Sequence, residues 1–171
     1  MTKDCKRFPI LRKELLIDKE EERKKKTFEK QIFFLMTALY CQNCHPADKN
    51  KFSVLNLDFA EDMQTWISEE KRVSKYRLCP DCYELVQNAF RHTESCPHSS
   101  YKTFCHECPT PCYREDEQAK MLPIMHYSGK RIVRAHPIYA LRFFGNLIRN
   151  KIRIKKHMRK MEARKNEQNQ F

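Results

Sequence analysis

The chain has 171 residues, is 40% hydrophobic and 33% charged, and carries a formal net charge of +12, enough apolar material for one domain with a modest core. Its two glycines leave no room for a glycine-rich phosphate loop, and neither a nucleophile elbow nor an H-E-x-x-H motif occurs, so the sequence leans away from an enzyme. The amino-terminal stretch MTKDCKRFPILRKELLIDKEEERKKK is charged throughout and no later run reaches the roughly 18 apolar residues of a membrane span, which predicts a cytoplasmic protein without a transmembrane segment.

The basic excess is concentrated late. Residues 114–171 hold 15 Lys and Arg against 5 Asp and Glu, whereas residues 51–113 hold 7 against 9. Between the cysteines the apolar residues recur with helical rather than alternating periodicity. Phe28, Ile32, Met36 and Tyr40 predict a first helix over about residues 14–40, its charged front half EEERKKK solvated and its end leading into Cys41. Phe59, Met63, Trp66 and Ile67 mark a second helix. Leu85, Val86, Ala89 and Phe90 mark a third, opening just after Pro80 and Asp81.

REDEQAKMLPIMHYSG, residues 114–129, predicts a fourth helix with acidic residues in its first turn, a kink or break at Pro123 and a carboxyl cap at Gly129. Pro137 opens a long last helix, with Leu141, Phe144, Leu147, Ile154, Met158 and Met161 as its packing face and a frayed tail beyond about residue 162. The expected organisation is an amino-terminal arm over 1–13, one cysteine-rich helical domain over 14–145, and a basic extension of the last helix over 146–171. The fold class is therefore mainly α, a small irregular helical domain built around two cysteine-rich metal sites with a long basic carboxyl-terminal helix.

The cysteines carry the chemistry. Cys41-x2-Cys44 and Cys79-x2-Cys82 form two pairs separated by a 34-residue loop, and Cys96 with Cys105-x2-Cys108-x3-Cys112 forms a second group, leaving Cys5 over. In a cytosolic chain such pairs read as metal ligands, because two thiolates one turn apart grip one ion and a second pair completes the tetrahedron. His45 offers an alternate ligand through a Cys41-x3-His45 spacing, while His98 and His106 lie near the second group. Zinc suits both groups, giving one or two ions. An iron-sulfur cluster also suits Cys96, Cys105, Cys108 and Cys112, and spacing does not separate the two.

Two further features stand outside the cysteines. Tyr127, Arg131 and His136 form a candidate anion or substrate pocket, against which stands the plainer reading of a helix end, a loop and a helix start. RNKIRIKKHMRKMEARK, residues 149–165, sets nine basic residues against one acidic, so Arg149, Lys151, Arg153, Lys155, Lys156, Arg159 and Lys160 are candidate nucleic-acid or ribosome contacts; a protein partner or an acidic membrane surface would satisfy the same pattern.

The run CHECPTPCYREDEQAKMLPIMHYSGKRIVRAHPIYALRFF, residues 105–144, resembles the bacterial nitrous oxide-stimulated promoter family. The marks are C-x2-C-P, Cys112-Tyr113, Met125, Tyr127-Ser128-Gly129, Arg131, and His136-Pro137 before an apolar helix. Three positions depart from the family pattern: Pro111 stands where histidine is usual, Lys130 where proline is usual, and Ala135 where arginine is usual. The resemblance implies a self-sufficient metal group at residues 96–112 and a link to nitrosative stress, hence a metal-thiolate accessory or sensor protein. The alternative is a zinc-stabilised module binding nucleic acid through the last helix.

Overall fold

Helix α1 (Lys19–Cys44) is the axis of the fold: the next three helices pack against it, and the last packs mainly on the one before it. The computed structural model describes residues 18–45, 51–99 and 112–168, apart from the side chains of 161 and 164–168. Asp18 caps α1 by accepting the Glu21 backbone N–H at 2.7 Å, and Glu20, Glu21 and Glu22 place negative charge at the positive end of the helix dipole. After α1 come β1 (Phe52–Ser53), a 3-10 turn (Val54–Asn56), α2 (Glu61–Glu69), β2 (Arg77–Leu78), α3 (Pro80–Glu94), α4 (Glu115–Ala135) and α5 (Pro137–Gln168). The architecture is mainly α, as the periodicity predicts. The sheet among the described residues is a two-stranded antiparallel ribbon with Phe52 opposite Leu78.

The core forms where α1 meets α2 and α3. Phe34, Leu35, Ala38, Met63, Ile67, Leu78 and Val86 are buried there, with Phe34 edge-on to both Phe59 and Trp66 at 5.7 Å between ring centroids. A second small cluster of Leu85, Met121 and Ile124 seats α4 on the other side of α1. Ser128 fixes that seating by donating from Oγ to the Met36 carbonyl at 2.6 Å.

Several local expectations give way to tertiary context. The front half of α1 is not wholly solvated: Glu22, Lys25 and Lys26 are half-buried, and they bind the end of α3 and the stretch after it through Ser99 Oγ–H to Glu22, Lys25 to the Ser99 carbonyl, and Lys26 to the Glu94 carbonyl at 2.9 Å. Helix α4 runs unbroken through Pro123 and past Gly129. Pro123 and Ala119 are both exposed, so the carbonyl that loses its helical donor faces water, and Gly129 has no positive φ with which to end the helix. The stop comes at His136 because Pro137 excludes the α conformation from the residue before it. Helix α5 continues to Gln168, beyond the expected fraying point, and it packs through Ala140, Phe143 and Leu147 while Leu141 and Phe144 are exposed.

Lys30 is the one charged side chain in the buried set of described residues, bound to Asp62 at 2.6 Å and Glu94 at 2.7 Å. Burial works against its charge, but the hydrogen bonds and attraction of the two carboxylates outweigh it and hold the ammonium above its ordinary range. Lys30→Ala is expected to cost about 1–3 kcal/mol in urea unfolding, less than a fully buried pair because Asp62 and Glu94 can turn to water.

Candidate metal centre

Two helix ends meet at the site, one contributing its last turn and the other its first. Cys41 is in the last turn of α1, and His45 follows as the residue that ends it, its N–H donating to the Cys41 carbonyl at 3.2 Å. Positions i and i+4 of a helix stack on one face, so helical backbone through Cys44 aligns Cys41 with His45 rather than with Cys44. On the other side β2 delivers the chain directly to Cys79. Cys79 is the amino cap of α3 with φ −75° and ψ 162°, Pro80 is the first helical residue, and Cys82 falls in the first turn. Both sulfurs therefore sit at the positive end of a helix dipole, which favours thiolate.

The ligand atoms of Cys41, His45, Cys79 and Cys82 lie within 4.8 Å of one another. His45 Nδ1 is 3.5 Å from the sulfurs of both Cys79 and Cys82. A tetrahedral ion bound at about 2.3 Å from sulfur and about 2.0–2.1 Å from nitrogen sets that edge at about 3.5 Å, so the four donors fit a metal ion. The three cysteines are buried and His45 is half-buried. Cys44, by contrast, is exposed and outside the group.

Electrostatics point the same way. Hydrogen bonding from the Cys82 thiol, opposed by burial and aided by the Cys79 backbone N–H at 3.3 Å, lowers Cys41 to about 5. The same contact with Cys41, with burial, pushes Cys82 up, and burial pushes Cys79 up. A bound divalent cation would let all three cysteines be thiolates, because its charge would outweigh their mutual repulsion.

Neighbouring groups hold the ligand frame. Lys51, next to β1, donates to the Cys41 carbonyl at 2.7 Å, and Arg77 of β2 donates to the Lys51 carbonyl at 2.6 Å, so the ribbon ties both halves of the site together. Tyr40 stands edge-on to His45 at 5.3 Å and to Tyr127 at 5.7 Å, and Arg131 lies 3.7 Å over the Tyr127 ring. Sequence reasoning passed over Lys51 and Tyr40; the i, i+4 spacing of Tyr40 to Cys44 and Met36 reads only as a helix face.

The second cysteine group is partly in view. Cys96 is half-buried beyond α3 and Cys112 is exposed before α4, while Cys105, Cys108 and His106, like Cys5, lie outside the described residues. His98 is exposed. The ring of His92 of α3 lies tilted against that of Tyr113, 4.5 Å between centroids, and 3.5 Å from Glu117 of α4, which draws the two flanks of the group together.

Of the candidate pocket, Tyr127 and Arg131 are stacked, but His136 is elsewhere: it is buried at the α4–α5 corner with Nε2 2.6 Å from the Tyr76 hydroxyl. Burial, then the positive charge of Arg72, pushes His136 down, with Glu70 opposing. The neutral ring is thus part of the folded state. Its contribution is present above the ordinary histidine value of about 6.5 and lost as pH falls through the lower folded value. Between about pH 7 and 5 the wild type should lose more stability than His136→Gln, read as the difference in urea midpoints.

Along α5, Arg149, Lys151, Lys155, Lys156, Arg159 and Lys160 are exposed, and Arg153 is half-buried with its guanidinium pushed down by desolvation. No helix among the described residues is long and apolar enough to cross a membrane.

Comparison with known proteins adds a family. The sequence profile described as nitrous oxide-stimulated promoter matches residues 24–159. Among curated proteins, the uncharacterized protein YgbA of Escherichia coli (strain K12) is 33% identical over 64 residues, which is 37% of this chain and 55% of that protein. The chain thus spans about half the length of this relative. No solved structure matches.

Proposed function

Since this chain belongs to the nitrous oxide-stimulated promoter family, we propose that it is a cytoplasmic metal-thiolate protein with an accessory or sensor role in nitrosative stress. The observation that carries the reading is the convergence of Cys41, His45, Cys79 and Cys82 from two helix ends. Three thiolates and an imidazole without an open position are the donor set of structural zinc, so zinc is the ion assigned to this centre. Cys96, Cys105, Cys108 and Cys112 form the second centre, zinc or iron-sulfur, and the tie between His92 and Tyr113 at its flanks supports it.

Thiolates are the reactive groups. A sulfur of either centre attacks a nitrosating agent such as dinitrogen trioxide, forming an S–N bond while nitrite leaves with the electrons of the broken N–N bond. That sulfur then no longer serves as a ligand. At the first centre the consequence is release of the α1 end from α3, a change in helix packing that a partner could read.

The test is metal analysis and a visible spectrum of anaerobically purified protein, followed by titration with a nitrosating agent. Stoichiometric loss of metal, with loss of helical packing in step, is expected; brown colour bleached by nitric oxide would assign the second centre to iron-sulfur. Metal content and fold unchanged by the reagent would overturn the sensor reading.

A further inference from the structure

The outward face of α5 carries exposed aliphatic side chains that pack into no core cluster among the described residues. Ile138, Leu141, Ile148 and Ile152 are 79%, 76%, 58% and 61% exposed. With Gly145, where an added Cβ would meet nothing within 4 Å, they recur in alternating steps of three and four residues. This is the spacing of a coiled-coil seam on the side of the helix away from Ala140, Phe143 and Leu147, with exposed Phe144 bordering it beside Leu141 and Ile148. One edge of the seam carries Arg149 and Lys156 at a seven-residue interval, while Arg142, one heptad earlier, has its guanidinium 4.5 Å over the Phe28 ring of α1. Lys155 and Arg159 continue the seam toward the carboxyl end.

We propose that this face docks an acidic amphipathic helix of another protein, apolar residues in the seam and carboxylates along its basic edge. Charge complementarity selects that occupant. A second copy of this chain would set Arg149 and Lys156 beside basic residues of its own kind in either orientation, and like charges across a seam repel. Nucleic acid would engage the lysines and arginines but leave four aliphatic side chains in water. A bilayer interface takes up a broader apolar face than a single seam. The surface is independent of the metal centre, so either proposal can fail without the other.

The experiment is photocrosslinking in cells of the full chain carrying a benzophenone side chain in place of Leu141 or Ile148. The expected product is a protein adduct whose crosslinked peptide has apolar residues in three- and four-residue steps flanked by Asp and Glu. Its yield should fall at least about tenfold in the R149E/K156E double variant and recover when those partner carboxylates are changed to lysine. Both variant positions are exposed, so helix content and metal stoichiometry should match wild type and exclude misfolding as the cause. An adduct with RNA, DNA, phospholipid or a second copy, a protein adduct indifferent to charge reversal, or no adduct at all would overturn the proposal.

Discussion

Cys82→Ala is expected to remove most of the stability of the folded chain, and a strong chelator acting on the wild type should do the same. Cys82 is buried in the first turn of α3 and would share an ion with Cys41 at the end of α1, a bond that would join the two helices that enclose the core. Structural zinc contributes on the order of 10 kcal/mol or more to small folds, while a whole domain is typically stable by about 5–15 kcal/mol. Losing one ligand therefore leaves little margin. The measurement is thermal unfolding of wild type and variant with and without chelator. Chelator should lower the wild-type transition sharply and leave the already weakened variant nearly unchanged. Because thiolate ligands must be deprotonated, metal retention should also decline as pH falls.

The second large effect is expected at Phe34. This fully buried ring on α1 lies edge-on to Phe59 and Trp66, and Phe59 in turn packs against Tyr83 and Phe90 of α3, so one side chain holds α1, α2 and α3 together. Phe34→Ala removes its transfer energy and leaves a cavity that rigid helices close only in part, which costs about 3–5 kcal/mol. The single tryptophan, Trp66, is at the cavity edge and reports it directly in fluorescence-monitored urea unfolding. The midpoint should drop with little change in slope. Phe144→Ala, at an exposed position of α5, should stay within about 0.5 kcal/mol of wild type.

Much of the helical plan was legible because it depends on apolar period and on proline. Met63, Trp66 and Ile67 do lie along α2, with Phe59 just ahead of it rather than on it, Pro80 does open α3, and Pro137 does open α5. What failed did so for tertiary reasons. Gly129 reads as a cap in isolation, but α4 has α1 to pack against through Ile124, Ser128 and Ile132, and that surface carries the helix on to Ala135. Leu141 reads as part of a packing face, yet the buried side of α5 is set by Ala140 and Phe143.

The metal centre shows how one helix boundary changes chemistry. With α1 ending near Tyr40, Cys41 and Cys44 would form a turn and grip the ion together. The helix instead runs through Cys44, so the neighbour of Cys41 on its own face is four residues on, at His45. Both spacings were visible in the sequence. Choosing between them required the length of the helix, which comes from packing against α3 and α4 rather than from the residues near the cysteines.

The central claim is that Cys41, His45, Cys79 and Cys82 hold one metal ion between the end of α1 and the start of α3. Metal-to-protein ratios of Cys44→Ser and His45→Ala, purified beside wild type, test it most directly. The expected result is full wild-type metal in Cys44→Ser and loss of about one equivalent in His45→Ala. Retention of metal by His45→Ala with loss from Cys44→Ser, or no bound metal in any of the three proteins, would contradict it.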